Sequence, residues 1–144
     1  MKLIKCIFFI VLLGMFVPFS VMAGDFDGSV PLLFASQKVY ECSLMNGCNE
    51  VEAADIKLPS FLIIDFKEKK ITATPESGRK AITKIERIEK KDGVLYVQGA
   101  EDGYEGVEDG VGWTLMIEED SGKGVLTGAT PGAAFVAFGV CTPR

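Results

Sequence analysis

Three short runs rich in apolar, β-branched and aromatic residues, 112–118, 124–130 and 133–141, follow one another with only tight Gly-bearing turns between them. Such spacing writes an antiparallel meander and sets the fold class as all-β. Composition then bounds what a meander of this kind does. The sequence contains no histidine, which removes the commonest general base near neutral pH, the imidazole zinc ligand and any Ser-His or Cys-His nucleophilic pair. A non-enzymatic role is the expectation.

The first 23 residues read as a secretory signal peptide. Lys2 and Lys5 form a basic end, 6–17 is almost wholly apolar, and Val21, Met22 and Ala23 carry the small or tolerated residues of a cleavage site. The apolar run is shorter than the roughly 20 residues a spanning helix needs, so no membrane insertion is expected after cleavage. Residues 24–144 then form one exported domain, periplasmic or secreted, of about 120 residues, enough to bury a real core. The whole chain has a formal net charge of −5, and losing the two leader lysines makes it more acidic. Such a surface repels phosphate backbones, so nucleic acid is not an expected partner.

Along the mature chain, 24–31 is a polar leader and 32–42 the first strand. Residues 50–58 (EVEAADIKL) carry good helix formers, with Val51, Ala54 and Leu58 at helical spacing before Pro59, and predict one short helix. Residues 61–66 and 71–74 flank a charged turn and predict a hairpin. Residues 81–89 are ambiguous: Ile82, Ile85 and Ile88 sit three apart, a helical interval. A bulged strand is preferred, because Lys91, Asp92 and Gly93 form a hairpin signal leading into the strand 94–98. The count is about eight strands in up-and-down order. The expected architecture is a closed or nearly closed lipocalin-like barrel, with an open sandwich as the alternative.

Four features are candidates for chemistry. Cys42 and Cys48 are the preferred disulfide, since chain proximity favours closure in an oxidising compartment, with Cys42 to Cys141 as the rival pairing. Residues 99–111 gather Glu101, Asp102, Glu105, Glu108 and Asp109 on a Gly-rich backbone, a donor set suited to Ca²⁺ although not in EF-hand spacing; no other cofactor is implied. Tyr104 and Trp113 are candidates for the mouth of a barrel that takes an apolar ligand; core packing is the preferred reading of Trp113, and Tyr104, in the polar loop, is preferred as the surface contact. Finally, 133–138 is apolar on both faces, so its outside needs a cover: the short helix near Ala54 or, failing that, a partner or a second copy in a homodimer.

The segments VYECSLMNGC, LPSFLIIDF, DGVLYVQG, GWTLMIEEDSGKGVLTG and AFVAFGVCTP together resemble a family of small exported bacterial proteins of unknown function, over about 31–143. The resemblance brings no activity. It implies a further cysteine near the position of Phe34, which this chain lacks, leaving Cys141 without that mate. A fainter architectural likeness, in the Tyr40-Glu41-Cys42 strand and the late cysteine, is to periplasmic lysozyme inhibitors. The functional expectation is therefore an exported binding or protein-interaction domain of unknown partner. The alternatives are an inhibitor of a basic hydrolase such as lysozyme and a lipocalin-like carrier of a small apolar ligand.

Overall fold

The computed structural model describes residues 26–77, 81–102 and 110–144. The signal segment lies outside the described residues. Ten strands are present: β1 (Leu32–Ser43), β2 (Gly47–Val51), β3 (Phe61–Asp65), β4 (Lys70–Ala73), β5 (Ile82–Lys84), β6 (Arg87–Lys91), β7 (Val94–Glu101), β8 (Val111–Glu118), β9 (Lys123–Ala129) and β10 (Ala133–Pro143). Nine of them form one antiparallel sheet in the order β5-β4-β3-β1-β10-β9-β8-β7-β6, and β2 pairs with β1 beside this path. The all-β, antiparallel expectation holds, and the first and last strands pair with each other.

Two parts of the expected architecture are corrected. The sheet curls into a half-barrel and is not closed. Residues 82–84 pair with β4 and residues 87–91 with β7, and the chain steps across the gap at Ile85 and Glu86. Only single backbone bonds span that step, from the Ile85 amide to the Lys69 carbonyl and from the Glu86 amide to the Gln98 carbonyl, both 2.9 Å. Ile85 turns inward, 1% exposed, while Ile82 stays 73% exposed. The three-residue isoleucine spacing is therefore the mark of a cranked strand.

The second correction concerns the helix. Residues 47–51 are strand β2, drawn onto β1 by the Cys42–Cys48 disulfide, whose two cysteines face each other in the ladder. Residues 53–57 make successive turns, closed by bonds from Lys57 to Ala54 and from Leu58 to Ala53, and Lys57 ends them at a φ of 59°. Helix formers in 50–58 lose to a covalent tie that commits the first of them to a strand. Among the described residues the helical element is a 3₁₀ turn at Pro75–Ser77.

The β1–β10 ladder contains a bulge between Ser36 and Lys38. An extra residue reverses which side chains point inward. Leu32 and Phe34 face the core before it and Val39 after it, all at most 4% exposed. The interior is built in tiers. At the closed end, the Phe34 ring lies over Gly124 and Gly139, and a Cβ on Gly139 would stand 2.7 Å from the ring. Phe26 and Val30 of the leader pack against this end. The middle tier runs in register through Val39, Ala137, Leu126, Leu115 and Val97. Leu62, Ile64 and Ile71 of β3 and β4 cover it from the other side. Each buried Val, Leu or Ile among them contributes about 1.5–3 kcal/mol on burial.

Cys141 sits on this inner face, 3% exposed, as a free thiol; the rival Cys42–Cys141 pairing is thereby excluded. Burial pushes its thiol from the ordinary 9.0 up to about 12. The neutral form is the one the fold favours, so the stability tied to it is complete below pH 9 and is lost as pH rises toward 12.

Two outcomes are expected. Gly139→Ala should cost about 1–3 kcal/mol in urea unfolding through overpacking against the Ala35 carbonyl and the Phe34 ring, whereas Gly132→Ala, with nothing within 4 Å of an added Cβ, should change stability by less than about 0.5 kcal/mol; equal effects would contradict this close packing. Cys141 should resist an aromatic disulfide reagent at pH 8 in the native protein and react once unfolded in urea. Immediate stoichiometric labelling of the folded protein would refute its burial.

Candidate functional site

The upper tier of the interior is a register-matched row across five strands: Glu41, Phe135, Gly128, Trp113 and Gly99. Aromatic residues alternate with glycine, and the reason is space. A Cβ on Gly99 would overlap the Trp113 ring, and one on Gly128 would overlap the Phe135 ring. Each ring takes up the space that a side chain on the facing strand would need. Trp113 is fixed further because its Nε1–H donates to Thr83 Oγ1 at 3.1 Å, from β8 to β5 across the half-barrel. It is 7% exposed, so the core reading of this residue holds, and its ring also lines a cavity.

That cavity is a cleft of about 600 Å³ at the end of the half-barrel opposite the Phe34 plug. Trp113, Phe135 and Leu126 form one wall, and Leu62 and Ile71 of β3 and β4 the facing one. The turn segment after β2 contributes Ile56, Leu58 and Pro59 as a side wall. The β9–β10 turn is held in shape by Thr130, whose Oγ1 accepts from the Ala133 amide at 3.2 Å and whose own amide donates to the Ala133 carbonyl at 2.8 Å. Glu41, Lys57, Glu101 and Asp102 also line the cleft, and all four are exposed. The walls are apolar and the charges stand at the solvent, which is the makeup of a binding cavity.

Of the carboxylates proposed for a cation, Glu101 and Asp102 stand at this mouth, whereas Glu105, Glu108 and Asp109 lie outside the described residues, as does Tyr104. Among the described residues no group of three or more metal-capable side chains gathers. Sequence reasoning missed Glu41, Phe135, Gly128 and Thr83. Their signal is the glycine opposite each ring, visible only once strand pairing and the bulge after Ser36 are known.

The outer face of β10 lacks the helical cover expected for it. Phe138 is 46% exposed, with the edge of Tyr40 packed on it at 6.3 Å between centroids. In the ladders Phe138 lies opposite Val125, Val125 opposite Met116 and Met116 opposite Tyr96, an apolar row outside the sheet. At the β1–β2 tip, Leu44 and Met45 are 97% and 94% exposed, and the Cys42–Cys48 disulfide closes the hairpin behind them.

Compared with protein-family models, with curated proteins and with solved structures, the chain finds no match, so its likeness to small exported bacterial proteins rests on the sequence segments that suggested it.

Proposed function

We propose that this protein is an exported, non-enzymatic binding domain that takes a small apolar ligand in the cleft beside Trp113. The observation that carries this reading is the cleft itself: about 600 Å³ of space bounded by Trp113, Phe135, Leu126, Leu62 and Ile71, in a domain whose other end is filled by Phe34. A hollow walled by apolar and aromatic side chains with a few polar groups at its rim is the form that small-molecule sites take. Absence of histidine from the sequence and a lining dominated by apolar side chains support binding over turnover. The Cys42–Cys48 disulfide supports an oxidising compartment, periplasmic or extracellular.

A second reading, docking of a protein partner, draws on Leu44 and Met45. Two adjacent large apolar side chains held out on a disulfide-closed hairpin lose little conformational freedom when a partner covers them.

The single tryptophan of the sequence is the reporter that tests the first reading. Titration with decanol should shift Trp113 emission saturably at one molecule per chain. Ala133→Phe, which places a ring on the cleft lining, should weaken that binding at least tenfold, while Leu44→Asp with Met45→Asp should leave it unchanged. A flat titration up to the solubility of decanol refutes the reading.

A further inference from the structure

The geometry points to the class of ligand: an organic cation, with an ammonium head on an apolar body, seated with its head between Glu41 and the Phe135 ring and its body along Trp113 and Leu126. This rests on the reading of the cleft as a ligand site. Glu41 and Phe135 are direct cross-strand partners in the β1–β10 ladder, both on the inner face, and directly opposed residues hold their Cβ atoms about 4.5–5.5 Å apart. The Phe135 ring takes up the space a Cβ would need on Gly128, lines the cleft and is only half-buried. An aromatic face carries negative electrostatic potential and attracts an ammonium group, most strongly where water is thinned.

The remaining charges agree. Among the described residues, the lining of the cleft carries three carboxylates, Glu41, Glu101 and Asp102, and one ammonium, Lys57. An anionic head would meet this excess, and a neutral ligand would draw nothing from it. The apolar depth beyond, floored by Leu126 of the middle tier, sets the rest of the ligand as hydrocarbon or aromatic.

The test compares three probes of one chain length, decyltrimethylammonium, decanol and decyl sulfate, each below its micelle concentration, by Trp113 emission in about 0.15 M salt, where charges far from the cleft are largely screened. Decyltrimethylammonium should bind at least tenfold more tightly than decyl sulfate, with decanol between them. Glu41→Gln should lower the ammonium probe's affinity at least threefold and leave decanol within twofold, and Phe135→Leu should lower the ammonium probe's affinity at least threefold more than it lowers decanol's. Glu76→Gln, on the 3₁₀ turn away from the cleft lining, should change neither. Equal affinity for the three probes, tighter binding of the sulfate, or an ammonium preference that survives Glu41→Gln would overturn the inference while leaving apolar binding in place. Failure of decanol as well would overturn the reading of the cleft and this inference with it.

Discussion

The ladder between β1 and β10 is the constraint on which the molecule depends. It joins the first strand to the last from Leu32 opposite Pro143 to Ser43 opposite Ala133, so every other strand is laid out from one side or the other of this pair. β1 also carries β3 on its first half and β2 on its second. Such long-range pairing closes the largest loop in the chain, and its entropic cost is recovered only when the interior it encloses fills. The bulge after Ser36 lets one strand do this. It turns Leu32 and Phe34 inward at the closed end and Val39 and Glu41 inward toward the cleft.

What fills the interior is set by a trade of side chain for backbone. Three rings, Phe34, Phe135 and Trp113, each lie on glycine. Phe34 covers two glycines on adjacent strands and leaves no room. Phe135 and Trp113 cover one each, on the same row, and leave a cleft between themselves and β3 and β4. The position of the cavity thus follows from which strand positions lack a Cβ. The same arrangement puts Glu41 on one row with Phe135 and Trp113, because strand pairing places residues of a row side by side.

Much of the scaffold was legible from local pattern. The three C-terminal runs are β8, β9 and β10, the charged turn after residue 66 closes β3 on β4, and Asp92 and Gly93 form the positive-φ turn expected of a tight hairpin. Cys42 and Cys48 pair as chain proximity favoured. Where local pattern failed, a distant partner decided the outcome. Residues 50–58 have helical spacing, but Cys48 binds them to β1; Ile82, Ile85 and Ile88 have helical spacing because the strand cranks from one neighbour to another. Trp113 was singled out for its size. Its companions Phe135 and Glu41 come from strands far apart in the chain, and nothing short of the register unites them.

The crank at Ile85 leaves β5 and β6 as the two ends of the sheet; β5 lies against β7 and β8, with Thr83 hydrogen-bonded to Trp113, and β6 keeps a row of backbone groups open to another chain's strand. β6 reads RIEKK and every residue in it is exposed. Arg87 pairs with Glu89, and Lys90 reaches Asp27 at 3.5 Å and Glu119 at 3.1 Å. A fringe so densely ionised guards the rim against fibre-like stacking of copies, since an incoming strand would have to strip water from four charged side chains. The molecule therefore keeps its sheet unsealed without inviting self-association along that border.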